Sequence, residues 1–103
     1  MMKTKVVHCG KESYDILIDR RTIWGNPFKI GKDGDRSEVI VKFDLWLNGK
    51  AYMDFEQPKR QQILDNIDKL DGKTIACWCK PRECHGDIYV KFIEFRKSGI
   101  LQM

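Results

Sequence analysis

The chain has 103 residues, a mass of 12.1 kDa, 42% hydrophobic and 33% charged residues, and a formal net charge of +4. This length predicts a single domain over residues 1–103, because two separate cores would each be near the lower size limit for independent folding. A mean hydropathy of −0.50, no apolar run of about 18 residues and no apolar leader exclude membrane-spanning and secreted classes, so we expect a cytoplasmic protein.

Short strands and a long loop come first in chain order. Alternating apolar residues predict strands at residues 5–9 and 14–18. Residues 19–35 show no regular period and predict a long loop, interrupted by a short strand at residues 28–30. A loop this long in a small domain is usually functional or disordered, and the aromatic residues Trp24 and Phe28 favour an ordered, functional one.

Three helices and one more strand follow. Ser37 is the N-cap candidate of the first helix, and Pro58 suits the first turn of the second. A short apolar run at residues 73–78 predicts a buried strand, and the third helix is predicted from residue 84 to a stop at Gly99. This order predicts a small, compact, Rossmann-like α/β domain with three or four partly parallel strands and about three helices.

The segment of residues 77–87 carries the clearest chemical signal, because it joins a strand to the start of a helix. Open α/β sheets bind ligands at that edge, where helix N–H groups carry partial positive charge. The helix dipole favours a thiolate at Cys84 and a neutral His85, and Gly86 leaves room for a ligand near the backbone. We expect Cys79, Cys84, His85 and Gly86 to line a site, with backbone N–H groups holding an anion.

Three interpretations compete for the cysteines. A zinc site would use Cys77, Cys79, Cys84 and His85, but residues i and i+2 of a strand lie about 6.5 Å apart, too far for sulfurs ~2.3 Å from one ion. We therefore expect no metal and no cofactor. Cys84 or Cys79 would act as a nucleophile with His85 or His8 as base, although neighbouring helix side chains point about 100° apart. Reduced thiols packed against a flat ligand are the third interpretation, with Cys77 in the core.

The loop of residues 20–29 has the composition of a nucleotide-binding segment. Arg20 offers a planar fork for phosphate, and Trp24 offers a face for stacking a base. Asn26, held extended by Pro27, presents its amide to a base edge or a ribose. In the alternative interpretation, Trp24 and Phe28 anchor the loop to the core and Asn26 bonds to its own backbone.

Two motifs resemble those of a phage and bacterial family, domain of unknown function 4326, between about Thr4 and Phe95. The first is Arg20 followed by Trp24-Gly25-Asn26-Pro27-Phe28 and Ile30-Gly31-Lys32-Asp33-Gly34; the second is Ala76-Cys77-Trp78-Cys79 followed by Pro81 and Cys84-His85-Gly86-Asp87. The family pattern has proline and a basic residue where this chain has Arg21 and Ile23. The Cys-His ending is also similar to domain of unknown function 488. The resemblance implies a small α/β fold and a phage-like origin, and no particular reaction.

Together these observations predict a domain that binds a nucleotide or nucleotide-derived small molecule between the 20–28 loop and the 77–87 junction. In a phage-like setting, in the host cytoplasm, such a domain would sequester a host defence signal. The expected ligand-binding residues are Arg20, Trp24, Gly25, Asn26, Phe28, Cys79, Cys84, His85 and Gly86.

Two alternatives are kept. One is a hydrolase or transferase acting on a nucleoside or N-glycosidic bond, with His85, Glu83 or Asp87 as acid or base. The other is a single-stranded nucleic-acid or protein interaction module that uses the basic loop of residues 19–36. Five basic and two acidic residues lie between residues 20 and 36, which favours a pocket rim over a nucleic-acid footprint. A homo-oligomer is compatible with all three.

Overall fold

The structure is a computed structural model that describes residues 3–102, with side chains described for residues 3–96. Three strands and three α-helices form the domain: β1 (Lys5–His8), β2 (Ile16–Leu17), α1 (Arg36–Leu47), α2 (Gln57–Asn66), β3 (Thr74–Cys77) and α3 (His85–Gln102). A 3₁₀ turn over Ile67–Leu70 continues α2. The predicted small α/β fold is confirmed.

The sheet has the order β1-β3-β2, and both outer strands run parallel to β3. Val6 and Ile16 are both in register with Ile75. The carboxyl ends of all three strands therefore meet at one edge of the sheet. The pairing continues past the strand ends, where Cys9 N–H donates to the Cys77 carbonyl and Ile18 N–H donates to the Ala76 carbonyl.

The predicted strand at residues 28–30 does not form. These residues lie in turns, where Lys29 N–H donates to Asp33 Oδ2 at 2.8 Å. Phe28 is buried, but as a loop anchor and without a strand partner. An aromatic residue that packs on the core thus produced a strand-like pattern in a segment without strand hydrogen bonding.

Helix α1 begins at a capping box, and its N-cap lies two residues before the predicted Ser37. The N-cap is Asp35, whose Oδ1 accepts from Glu38 N–H at 2.9 Å, while Glu38 Oε1 accepts from Asp35 N–H at 3.0 Å. Both exposed backbone donors are satisfied reciprocally. Ser37 lies inside the first turn, and the apolar face buries the predicted residues Val39, Phe43, Trp46 and Leu47.

Helix α2 has Pro58 in its first turn, as predicted. Helix α3 continues through Gly99 to Gln102 and does not stop at the glycine. An internal glycine costs a helix only about 1 kcal/mol relative to alanine, which is too little to end it. Helix α3 packs on β1 and β3 and against α1.

The core is formed by residues of α1, of α2 with its 3₁₀ turn, of β3 and of α3, and loop residues contribute to it. Phe43 contacts Trp46 and Tyr89, with ring centroids 5.8 and 5.2 Å apart. Trp24 and Phe28, from the long loop, pack edge-on to Tyr89 and Trp46. The 19–35 loop is therefore held against the helices. In the described part of the chain, each helix is too short or too polar to cross a bilayer.

Candidate functional site

A pocket of about 360 Å³ opens at the carboxyl edge of the sheet. Its walls come from the 19–30 loop, the first turns of α1 and the turn between β3 and α3, so the two segments singled out in the sequence meet there. A volume of this size is at the lower end of the range for small-molecule sites. The lining residues are Asp19, Arg20, Arg21, Asn26, Phe28, Ile30, Arg36, Val39, Ile40, Cys77, Trp78, Cys79, Glu83, Cys84 and His85.

Two of the three pocket arginines have uncommitted guanidinium groups. Arg20 and Arg36 make no side-chain hydrogen bond or ion pair with any residue that the structure describes. Arg21 differs, because its Nη2 and Nε lie 2.6 and 2.8 Å from Asp19 Oδ2. The hydrogen bond from Arg21 lowers the pKa of Asp19, so this pair is internally neutralised. The pocket thus presents two free planar cations.

The exposed aromatic ring of the pocket belongs to Trp78. Its side chain is 59% exposed, and its Nε1 donates to Asp19 Oδ2 at 3.3 Å. Trp24 is only 6% exposed and does not line the pocket, so it cannot stack on a ligand there as expected from the sequence. Strand alternation was the signal for Trp78: Ile75 and Cys77 point into the core, so the next residue points away from it.

Asn26 and Phe28 line the pocket as parts of its wall. Asn26 Oδ1 accepts from Phe28 N–H at 2.9 Å, and its Nδ2 donates to the Val39 carbonyl at 3.2 Å. The amide oxygen therefore fixes the loop's own backbone, as in the alternative interpretation, and the amide nitrogen attaches the loop to α1. Phe28 packs against Phe55 with 4.9 Å between ring centroids.

The two glycines of the predicted site serve close packing. A Cβ on Gly25 would lie 2.6 Å from Arg20 Cα and 2.8 Å from the Asp19 carbonyl oxygen, so only glycine lets the loop return beside Arg20. A Cβ on Gly86 would lie 2.8 Å from Ile18 Cδ1 and 2.9 Å from Val6 Cγ1. The space expected for a ligand at Gly86 is filled by these strand side chains.

The N-terminus of α3 does not offer the free N–H groups that the sequence suggested. Cys84 N–H donates to Asp87 Oδ2 at 3.1 Å, and Gly86 N–H donates to Cys84 Sγ at 3.3 Å. The other oxygen of Asp87 accepts from Lys80 Nζ at 2.7 Å. The N–H groups of Cys84 and Gly86 are therefore bound within the chain, and the uncommitted cations that line the pocket are Arg20 and Arg36.

Three cysteines form a cluster at the pocket floor. The Sγ atoms of Cys77, Cys79 and Cys84 all lie within 4.8 Å of one another, and those of Cys77 and Cys84 are 2.6 Å apart. The hydrogen bond from Cys84 lowers the pKa of Cys77. The same bond, together with burial, raises the pKa of Cys84. The thiolate is therefore favoured at Cys77, and the expectation from the helix dipole for Cys84 is reversed.

His85 is fixed in one tautomer. Its Nε2 lies 2.8 Å from the Ile18 carbonyl oxygen and 3.0 Å from the Trp24 carbonyl oxygen. Carbonyl oxygens only accept hydrogen bonds, so Nε2 carries the proton and Nδ1 has the lone pair. Nδ1 lies 3.6 Å from Cys84 Sγ. Burial lowers the pKa of His85 to about 4, so the ring is neutral at pH 7.

The three candidate acids or bases are placed differently. Glu83 lines the pocket and accepts a hydrogen bond from Ser37 Oγ. His85 lines it too, but Nε2 is held by backbone carbonyls and Nδ1 faces Cys84. Asp87 does not line the pocket and is engaged by Lys80. Glu83 is therefore the best placed of the three to reach a ligand.

Comparison with known proteins agrees with the motif resemblance. The family model described as Domain of unknown function (DUF4326) matches residues 3–95. A protein of Enterobacteria phage T4, "Uncharacterized 12.4 kDa protein in nrdA-td intergenic region", is 32% identical over 90 residues, which cover 86% of this chain and 76% of the phage protein. No solved structure matches the chain. The chain belongs to the DUF4326 family.

Proposed function

We propose that this DUF4326 protein binds a phosphorylated nucleotide or nucleotide-derived small molecule in the pocket at the carboxyl edge of its sheet. One observation carries the proposal: the uncommitted guanidinium groups of Arg20 and Arg36 line the same 360 Å³ pocket as the exposed indole of Trp78. A guanidinium matches the geometry of phosphate, and an indole face stacks on a base. A nucleotide supplies both partners.

The remaining walls suit such a ligand. Phe28, Ile30, Val39 and Ile40 add apolar surface to the same pocket. Apolar walls lower the local dielectric constant and strengthen the attraction between guanidinium and phosphate. Because one relative is a phage protein, we extend the proposal to sequestration of a host defence signal, in which the ligand is held without being converted.

Calorimetric titration with AMP, cyclic AMP and ADP-ribose, and with adenosine as an uncharged ligand, tests the proposal. We expect the phosphorylated compounds to bind more tightly than adenosine. Arg20→Ala and Arg36→Ala should each weaken binding by about 10- to 100-fold, the effect of losing one charged hydrogen-bond donor. Arg82→Ala is the matched control, because Arg82 is exposed in the neighbouring turn and does not line the pocket.

A second variant separates base stacking from phosphate binding. Trp78→Ala should weaken nucleotide binding by about 1–3 kcal/mol and leave the affinity for inorganic pyrophosphate unchanged, because pyrophosphate has no base. An absence of binding heat for every compound contradicts the proposal. So does an equal loss in Arg82→Ala. Steeply salt-dependent binding of single-stranded oligonucleotides, without mononucleotide binding, would instead assign the basic rim to nucleic acid.

Turnover of the bound ligand is a second candidate function, favoured by one observation. The carboxylate of Glu83 lines the pocket beside the arginines, and a carboxylate at that place would stabilise the oxocarbenium-like transition state of N-glycosidic cleavage. Chromatography of each nucleotide after incubation distinguishes the two functions. Release of free base by the wild type, but not by Glu83→Gln, supports an enzyme. Complete recovery of the nucleotide supports binding alone.

A further inference from the structure

The turn after β3 brings together the sulfur atoms of Cys77, Cys79 and Cys84, which the sequence pattern predicted to be too far apart to share a ligand. A strand from Cys77 to Cys79 would hold these side chains about 6.5 Å apart. Strand β3 ends at Cys77, however, and Cys79 lies in the turn that follows. Its Sγ lies within 4.8 Å of the Sγ atoms of both Cys77 and Cys84. The geometric objection to a shared ligand site therefore does not apply to this chain.

The fourth candidate ligand is His85. Its Nε2–H is held by the carbonyl oxygens of Ile18 and Trp24, which leaves the lone pair of Nδ1 directed toward Cys84 Sγ, 3.6 Å away. Metal-binding histidines usually show this arrangement, in which one ring nitrogen donates to a carbonyl and the other binds the ion. The two carbonyls hold the imidazole in the required tautomer before any ion arrives.

We propose that Cys77, Cys79, Cys84 and Nδ1 of His85 bind one zinc ion in a tetrahedral site at the pocket floor. Three sulfurs and one imidazole nitrogen form one of the common structural zinc sets. On binding, each cysteine that is still a thiol releases its proton to solvent, so that all three sulfurs bind as thiolates, and the neutral imidazole releases none. This inference goes beyond nucleotide binding and does not depend on it.

The distances require adjustments among the sulfurs and at His85, whose Nδ1 lies near Cys84 Sγ but is not part of the cluster that the three sulfurs form. In a tetrahedral site with Zn–S bonds of about 2.3 Å, the sulfurs lie roughly 3.8 Å apart. The Sγ of Cys79 lies within 4.8 Å of its two partners and must approach to about 3.8 Å, whereas the Sγ atoms of Cys77 and Cys84, 2.6 Å apart, must separate by about 1 Å. The N–H of Gly86 donates to Cys84 Sγ and stabilises the thiolate that zinc requires. A Cys77–Cys84 disulfide is the competing use of this close pair.

The test uses the full chain, purified under reducing conditions, incubated with Zn²⁺ alone and dialysed. Elemental analysis should find one zinc ion per chain. Substitution with Co²⁺ should give thiolate charge-transfer absorption and the intense visible bands of tetrahedral cobalt, a readout that needs no variant. Cys79→Ser, in a half-buried turn position, should lower Zn²⁺ affinity by about two orders of magnitude.

Cys9→Ser is the matched control, because Cys9 is half-buried like Cys79 but lies outside the cluster. It should retain one zinc ion per chain and the cobalt spectrum. Substoichiometric zinc in the wild-type protein overturns the proposal, as does an octahedral cobalt spectrum. A Cys77–Cys84 disulfide would make the non-reduced protein lighter by the mass of two hydrogen atoms. If such a protein also takes up no zinc after reduction, the close pair is assigned to a disulfide and the proposal fails. Nucleotide titration of the same samples shows separately whether the proposed function holds.

Discussion

The hydroxyl of Tyr89 donates a 2.8 Å hydrogen bond to the carbonyl oxygen of Trp24, and both side chains are buried. The bond joins α3 to the 19–35 loop. Burial raises the pKa of Tyr89 well above its usual value, so the hydroxyl keeps its proton and acts as a donor throughout the neutral range. The loop that carries Arg20 is thereby attached to the most buried part of the core.

Tyr89→Phe should lower the free energy of unfolding by about 1 kcal/mol, the usual net contribution of one hydrogen bond. The loss is limited because the Trp24 carbonyl still accepts from His85 Nε2. Urea denaturation measures the difference. Tyr14→Phe removes a hydroxyl from an exposed ring and should leave the midpoint unchanged. Equal midpoints for all three proteins would show that the bond contributes no stability.

The two loop tryptophans should respond in opposite ways to substitution. Trp24→Ala removes a buried indole from the core and should cost about 3–5 kcal/mol. Trp78→Ala removes a ring that is mostly exposed and makes one 3.3 Å hydrogen bond, so its cost should stay below about 1 kcal/mol. Thermal or urea unfolding of both variants measures the contrast. A severe loss of stability in Trp78→Ala would show that its ring belongs to the core.

Asp35→Ala should destabilise the protein by about 1 kcal/mol, because it removes the side-chain acceptor of the α1 capping box. Ser37→Ala is the comparison, since Ser37 lies two residues further on and bonds to Glu83 instead of to the helix backbone. We expect a smaller change for this variant. Urea midpoints and far-ultraviolet circular dichroism measure both. A larger loss of stability in Ser37→Ala than in Asp35→Ala would show that Ser37, as predicted from the sequence, is the N-cap residue of α1.

His85 should make the metal-free protein sensitive to acid. Its folded-state pKa of about 4 lies below the ordinary value of about 6.5. Between these two pH values the imidazole binds a proton in the unfolded chain but not in the folded one. The contribution of His85 to the free energy of unfolding is fully present above about pH 6.5. It falls by about 2–3 kcal/mol as the pH decreases toward 4.5. Urea titrations across this window, on wild type and His85→Asn, measure the loss.

The variant separates His85 from the carboxyl groups that titrate in the same range. His85→Asn should lose about 2–3 kcal/mol less than the wild type between neutral pH and pH ~4.5. His8→Asn changes the other histidine of the chain and leaves His85 in place, so it is the matched control for the loss of an imidazole as such. Parallel profiles for the wild type and His85→Asn would mean that the imidazole titrates normally in the folded protein.

Local patterns were enough to predict most of the fold. The apolar run at Thr74–Cys77, bounded by Gly72 and Pro81, correctly indicated a buried strand, and the apolar face of α1 is buried as expected. The wrong predictions concern features that depend on distant partners. A strand at residues 28–30 would need a neighbour in the sheet, and Gly99 lacks the following turn that would end a helix.

The meeting of the two segments at one edge of the sheet was predicted, whereas the orientation of several of their side chains was not. Proximity of the 20–28 loop to the 77–87 junction follows from where parallel strands end. Which tryptophan faces the pocket depends on how the loop packs against Tyr89, and this contact spans 65 positions. The contact between Cys77 and Cys84 likewise arises only when the turn after β3 closes. Apart from the strand alternation that places Trp78 outside the core, residue spacing in the sequence gives no signal for these contacts.

The central place of β3 in the sheet also affects how the protein assembles during synthesis. β1 and β2 each pair with β3 and lie on opposite sides of it, so neither strand has a sheet partner until residues 74–77 have left the ribosome. The loop that carries Arg20 must wait still longer, because Tyr89 and His85 hold it. Folding with such long-range closure is intrinsically slow. We therefore expect the nascent chain to acquire its native structure only after nearly all of it has been translated.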